Sequence, residues 1–274
     1  MTPRTRRLSV DFFGTRVDYV CRDDRTHSML EYYLRPHVRT PTWEAQCRLQ
    51  VALLNSGGCS FQRALTYAGL EKRIYANEGD GWRLYDRFFA KSSRPTPLPP
   101  LSFPGFRGGY RSLHAAAACS PGTEAKAVMI RGESGAGKSS LLLALLVRGW
   151  GFLSDDVCVV RRADSRIVPY GRPIGVRAPA RAMLERFWKD GLMAADKEAI
   201  SVSTRSGRTS MLRSENLGFM AGAKPVPLAL EVMLTRGTRF EAIKHGPAQI
   251  TLRWTPESDL WRASSLIEEA IASL

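Results

Sequence analysis

The sequence predicts an α/β protein, a phosphate-binding P-loop domain preceded by a small α+β domain, and three observations carry that prediction. The stretch Gly132-Glu133-Ser134-Gly135-Ala136-Gly137-Lys138-Ser139 fits the Walker A template G-x-x-x-x-G-K-[ST]. A strand-length apolar run, Ala127-Val128-Met129-Ile130, precedes it, and a helical pattern over 138–148 follows, closed by Gly149. Upstream, Ser92-Ser93-Arg94-Pro95-Thr96-Pro97-Leu98-Pro99-Pro100 abolishes all periodicity between two regions of different character. We therefore expect a small domain over 1–91, a Pro-, Ser- and Gly-rich linker over 92–109, and the P-loop domain over 110–274.

In the first region, residues 8–13 and 15–20 alternate apolar and polar about Gly14, which predicts a hairpin. A helix follows, capped by Asp23 or Asp24, with Met29, Leu30, Tyr33 and Leu34 at helical spacing and Pro36 as its stop. Cys47, Leu49, Val51 and Leu53 line one face of a strand over 46–54, which Asn55-Ser56-Gly57-Gly58 ends. A second hairpin is predicted from 73–76 and 82–88 across Asn77-Glu78-Gly79-Asp80-Gly81. The aromatic residues Phe12, Tyr32, Tyr33, Trp43, Tyr75, Trp82 and Phe88 sit in these periodic segments, so we expect them in the core.

The glycine template has a physical purpose. Gly135 and Gly137 let successive backbone N–H groups turn inward around phosphate oxygens, where a Cβ would obstruct. Residues Gly132, Glu133, Ser134, Gly135, Ala136, Gly137, Lys138, Ser139 and Ser140 are the expected nucleotide contacts. Lys138 supplies a point charge for the β- and γ-phosphates of ATP, and the Ser139 hydroxyl is placed to ligate the Mg2+ ion that bridges them. The helix N-terminus adds its partial positive charge and unpaired N–H groups.

Around this motif, 113–119 reads as an apolar strand turning through Ser120-Pro121-Gly122 into an antiparallel pair with the P-loop strand. Residues 151–160 are apolar except for Asp155 and Asp156. A helix is predicted over 179–189, a strand over 228–235, and a closing helix over 258–274 with Leu260, Ile267 and Ile271 inward. The polar, basic segment 201–213, with Arg205, Arg208 and Arg213, reads as a mobile loop able to hold an acidic peptide or simply to be solvated.

Composition narrows the classes. With 44% hydrophobic and 24% charged residues, the chain is ordinary for a soluble globular protein rather than a disordered one. The longest apolar run, 141–147, is too short to cross a bilayer, and the basic opening lacks an apolar h-region, so no membrane partner or secretory signal is expected. Cys21, Cys47, Cys59, Cys119 and Cys158 are odd in number and scattered, which predicts reduced thiols in the cytoplasm and argues against zinc. The net charge of +14 is spread without a run of five basic residues, which disfavours nucleic acid and leaves an acidic peptide or a solvated surface.

Two aspartates inside an apolar run are costly to bury unless they meet a cation or a proton to abstract. Successive strand side chains point to opposite faces, so Asp155 and Asp156 are expected to do different jobs. The nucleotide motif continued by Ser140, Arg148-Gly149-Trp150 one helix later, Leu153-Ser154-Asp155-Asp156-Val157, and His114 upstream together resemble the C-terminal domain of the HPr kinase/phosphorylase family. The resemblance implies a P-loop kinase domain with a mixed sheet, similar to phosphoenolpyruvate carboxykinase nucleotide domains. It also implies phosphoryl transfer from a nucleoside triphosphate to a serine hydroxyl. Carried over, Asp155 matches the catalytic aspartate, His114 the histidine that partners it, and Asp156 the neighbouring carboxylate near the metal; Lys138 completes the catalytic set. Ser140 stands where true HPr kinases commonly carry glutamate, and residues 1–90 do not look like that enzyme's N-terminal domain, so the resemblance points away from HPr itself.

Relatives of this shorter architecture include kinases of ribosomally made peptides such as lasso-peptide precursors. The expected function is therefore ATP-dependent phosphorylation of a serine hydroxyl on a precursor peptide or a protein. A small-molecule hydroxyl kinase and a non-catalytic nucleotide-binding regulator are the alternatives, and a homo-oligomer is left open.

Overall fold

The computed structural model describes residues 6–21, 24–40, 47–51, 75–77, 82–84, 108–177, 180–181, 200–204, 207–219, 222 and 224–274. The chain divides into two compact units, Met1–Gly108 with Ser201–Arg208, and Gly109–Ile200 with Thr209–Leu274. Among the described residues no helix is long and apolar enough to cross a membrane.

The first unit is built on a five-stranded sheet, β1 (Arg6–Phe12), β2 (Thr15–Cys21), β3 (Cys47–Val51), β4 (Tyr75–Asn77) and β5 (Trp82–Leu84), in that order. β1 and β2 form the expected hairpin, with positive φ at Phe13 (54°) and Gly14 (86°), the pattern of a type I′ turn. β2 pairs β3 in parallel, which requires a crossover, and α1 (Asp24–Leu34) lies in that connection. β4 and β5 pair antiparallel, as expected of the second hairpin. Phe12, Tyr32 and Tyr33 are buried with Leu8, Val10, Leu30 and Leu34. Trp43 and Phe88 lie outside the described residues, as do the side chains of Tyr75 and Trp82.

The second unit is α/β, with a nine-stranded mixed sheet. Its strands are β6 (Tyr110–Leu113), β7 (Ala116–Cys119), β8 (Ala127–Gly132), β9 (Gly151–Ser154), β10 (Cys158–Arg161), β11 (Arg166–Val168), β15 (Val226–Arg236), β16 (Glu241–Lys244) and β17 (Gln249–Trp254). A separate pair is formed by β12 (Ile174–Arg177) and β14 (Gly207–Leu212); β13 (Ile200–Thr204), whose residues from Ser201 on belong to the first unit, precedes β14. β15 is the spine: it runs parallel to β8 and to β17, and its first residues pair antiparallel with β11. β7 pairs β8 antiparallel, as expected.

Two helices, α2 (Lys138–Val147) and α3 (Pro256–Ala272), pack on one face of this sheet. Alternation divides the strands between two cores. Val128 and Ile130 face the helices with Ala116, Ala118 and Phe152, whereas Ala127 and Met129 join Ala117, Leu153, Val160 and Ile167 on the opposite face. Every residue from Leu141 to Leu146 is buried, the behaviour of a helix apolar on all sides. Truncating one such leucine to alanine costs about 2–5 kcal/mol.

The end of α2 is fixed by hydrogen bonds from Gly149 N–H to Leu146 O (3.0 Å) and from Trp150 N–H to Leu145 O (3.1 Å), with Gly149 at φ 88°. That is a Schellman closure. Arg148 then pairs with Glu268 of α3, and Trp150 Nε1 donates to the same carboxylate (3.3 Å). The Arg148-Gly149-Trp150 motif is therefore a clasp between two helices.

Two expectations change. Residues 151–160 are not one strand: β9 ends at Ser154 and β10 begins at Cys158, with a turn at the acidic pair. The segment 201–213 is largely β13 and β14 rather than a loop; Thr209, Ser210, Met211 and Leu212 are buried, which a solvated loop would not allow. Of the helix expected over 179–189, only 180–181 lie within the described residues, and both are helical.

Candidate functional site

The site forms where β8 ends. The chain leaves the sheet at Gly132 (φ 147°), turns back with Ala136 N–H on Glu133 O (3.1 Å), and enters α2 through Gly137 (φ 96°). A Cβ on Gly132 would lie 2.6 Å from Leu234 O, and one on Gly137 would lie 2.6 Å from the Trp254 ring and 2.9 Å from Pro256 Cγ. Both glycines are thus required by close packing as well as by backbone angle.

Neighbouring strands brace this loop from below and beside. Trp254, fully buried at the end of β17, donates from Nε1 to Ala136 O at 2.9 Å. Arg236, at the end of β15, donates from Nε to Gly135 O at 2.9 Å. Neither residue carries a sequence signal that marks it; each reaches the loop only because β17 and β15 run parallel to one another and β15 runs parallel to β8, so all three end on the same side of the sheet.

Lys138 is nearly buried, and its ammonium donates to Gly132 O (2.8 Å) and Glu133 O (3.0 Å). Burial pulls its pKa below the ordinary lysine value, and the charges of Asp156 and Asp155 oppose that shift. The ammonium has three donors, so one remains beyond the two the loop uses.

Ser139 Oγ donates to Asp155, 2.9 Å from Oδ1 and 3.1 Å from Oδ2. Gly175 N–H of β12 donates to Asp155 Oδ2 at 3.0 Å. Asp155 is only 3% exposed, and burial pushes its carboxyl above the ordinary range; the Asp156 charge adds to this, while the Gly175 and Ser139 hydrogen bonds and the Arg172 charge oppose it.

Asp156 differs in every respect. Its φ is 64°, and Val157 N–H closes on Asp155 O at 2.7 Å, a tight three-residue turn that aspartate tolerates but rarely adopts. Its side chain is 55% exposed. Oδ1 lies 3.0 Å from His114 Nδ1 and Oδ2 lies 3.5 Å from Arg172 Nη1. Partial burial works against its charge, but the His114 hydrogen bond and the Arg172, His114 and Lys138 charges outweigh it and hold the carboxyl well below the ordinary range.

His114 is therefore the partner of Asp156, not of Asp155 as the resemblance implied; its Nδ1 also lies 3.0 Å from Asp156 O, so it holds the turn as well as the carboxylate. Asp155, the expected base, is the carboxylate on Ser139, and Asp156, expected near the metal, is the accessible one. The structure brings Lys138, Ser139, Asp155, Asp156 and His114 together and adds Arg172 and Gly175, which no pattern in the sequence singled out.

Arg213 does not behave as a free surface cation. It is buried and paired with Glu215, because it closes β14 into a short 3-10 turn over Glu215–Leu217. Arg205 and the side chain of Arg208 lie outside the described residues.

The Ser139 hydroxyl and Asp155 carboxylate, adjacent and both oxygen donors, fit magnesium, which takes one or two protein ligands and completes its shell with phosphate and water. No family model matches the chain, and no curated protein does. Among solved structures, the chain is similar to the HPr(Ser) kinase/phosphatase from Coxiella burnetii, at 15% identity and a TM-score of 0.32, over 60% of this chain and 95% of that one.

Proposed function

We propose that this chain is an ATP-dependent kinase of the cytoplasm that transfers the γ-phosphoryl group to a serine hydroxyl, with a ribosomally synthesised precursor peptide as acceptor. The observation that carries the reading is the pairing of unlike carboxylates beside one glycine loop: Asp155 sealed on Ser139, Asp156 open to solvent. Simple nucleotide binding needs the first and has no use for the second.

In this mechanism the loop N–H groups, Lys138 and the α2 N-terminus hold the triphosphate. Ser139 and Asp155 would hold magnesium, which would supply charge neutralisation to the phosphates. The acceptor serine must reach a base, and Asp155, buried beneath Gly175, is out of its reach. Asp156 is accessible, ionised, and fixed by His114 and Arg172, so it orients the serine hydroxyl and takes its proton as the oxygen–phosphorus bond forms. A half-exposed base suits an acceptor presented on a chain. Arg205 and Arg208 remain candidates for gripping an acidic peptide; Arg213, committed to Glu215, is not one.

The test incubates the full chain and ATP-Mg with γ-labelled phosphate against serine-containing precursor peptides and a panel of small hydroxyl compounds. Label on a serine supports the reading, label only on small molecules replaces the acceptor class, and nucleotide binding without any transfer leaves a regulator.

A further inference from the structure

Arg177 is a cation at this site that neither the Walker A motif nor the mechanism above employs. It ends β12, the strand whose Gly175 N–H holds Asp155. Ile174 and Val176 of that strand enter the core, so Gly175 and Arg177, two residues apart, share the opposite face, toward the carboxylates and the glycine loop. Arg177 Nη1 lies 3.8 Å from the point a Cβ on Gly135 would occupy. Its charge is felt at Lys138, which it opposes.

Among the described residues no carboxylate forms an ion pair with Arg177. The other arginines nearby are committed: Arg236 donates to Gly135 O and Arg172 stands on Asp156. A guanidinium set against a loop that already holds an ammonium is unfavourable until an anion arrives between them. The anion that such a fork matches is a phosphoryl group.

We propose that Arg177 is a catalytic arginine, supplied by the same chain, that meets the γ-phosphoryl group as it transfers. The inference rests on the kinase reading and deepens it. In the step, the serine oxygen bonds to the γ-phosphorus while the bond from phosphorus to the β,γ-bridging oxygen breaks. The electron pair of that bond leaves with the ADP β-phosphate, and the serine proton passes to Asp156. Arg177 binds the equatorial oxygens of the moving group, where the transition state is bound more tightly than bound ATP.

The test uses the full chain with MgADP, alone and with aluminium fluoride, whose planar anion mimics the moving group, alongside single-turnover transfer. Wild type is expected to bind MgADP more tightly when fluoride is present. Arg177→Ala should keep MgADP affinity within about threefold, lose about 100-fold of the fluoride gain, and transfer about 10³-fold more slowly. Arg177→Lys, with the charge but not the fork, should fall between the two. An alanine variant that keeps the wild-type fluoride gain overturns the proposal, and so does one that loses MgADP affinity as much as it loses the gain. Should the alanine variant not fold, Arg177→Lys decides: lower kcat at unchanged KM for ATP supports the role, and unchanged kcat sinks it. A wild type that binds MgADP with no fluoride gain overturns the kinase reading itself, which separates that failure from the failure of Arg177.

Discussion

On the buried side of the site, Asp155 is enclosed by the Ser139 hydroxyl and the Gly175 N–H and is pushed toward its neutral form, while one residue later, on the open side, Asp156 stands half-exposed against His114 and Arg172 and is held ionised. The difference is made by the backbone. In a continuous strand the two side chains would have pointed to opposite faces of the sheet. The positive φ at Asp156 ends the strand and turns the second carboxylate back toward the same nucleotide loop, close enough for each charge to act on Lys138. Strain at that residue gives one site two carboxylates in two dielectric settings, the difference on which the proposed roles of metal ligand and base rest.

The largest expected effect of separating the two sides comes from the open one. Asp156→Asn keeps the shape but cannot take a proton, so transfer should fall by about 10² to 10⁴ while ATP-Mg affinity stays near normal. Single-turnover transfer and nucleotide titration measure the two quantities, and wild-type transfer by this variant would return the base to Asp155. The folded pKa of Asp156 lies below its unfolded value of about 3.9, so its contribution to stability is full above that value and is lost as pH falls through the folded one. Asp156→Asn should therefore lower stability at neutral pH and flatten its acid decline below about pH 4.

Asp155 should give the opposite sign. Its folded pKa is raised, so its contribution is present below about pH 3.9 and lost as pH rises through the folded value, and the ionised group burdens the free protein at neutral pH. Asp155→Asn can still accept from Gly175 and pair with Ser139, so we expect denaturant unfolding at neutral pH to show a metal-free protein more stable than wild type. Its half-saturating magnesium concentration for transfer should rise by about tenfold or more. A destabilised variant with an unchanged magnesium requirement would show that Asp155 is only a structural anchor for Gly175.

His114→Ala should cost less than either, roughly threefold to tenfold in transfer, because His114 acts through the placement of Asp156. His114→Gln, which retains a donor toward the carboxylate, should recover most of that loss; equal defects in both variants would mean that the ring itself is needed.

Much of the loop side was legible in the sequence because its constraints are local. Glycine at fixed spacing, an apolar run before and a leucine-rich helix after specify strand, loop and helix without reference to the rest of the chain, and β7 followed from a short turn. The open side was not legible, since a single residue in positive φ decides it and an aspartate pair inside apolar sequence reads as a strand. Gly175 and Arg177 reach the site on β12, and Arg172 on the segment just before it; the place of that strand depends on pairing with β14 more than thirty residues later, a long-range contact that no local period encodes. The segment 201–213 misled for a related reason: serine, threonine and arginine in alternation look solvated until a partner strand and the burial of Thr209 to Leu212 give them a sheet.

The smallest expected effect probes how the buried side is held. Trp254 lies under the loop, with its ring against Gly137 and its Nε1–H on Ala136 O, so it braces the loop in its observed shape. Trp254→Phe keeps most of the apolar contact and removes the donor, leaving a buried carbonyl unsatisfied, which should cost about 1 kcal/mol or somewhat more with the small void. If the loop is preorganised through this bond, ATP affinity should fall by about fivefold to tenfold, the equivalent of that energy, while transfer at saturating ATP stays within about twofold because Asp156 and its partners are untouched. Unfolding midpoint, nucleotide affinity and single-turnover rate on the same variant separate the cases. A stability loss with unchanged ATP affinity would make Trp254 a core residue that happens to touch the loop, and a slower step at saturating ATP would mean that the buried and open sides of the site are coupled rather than independent.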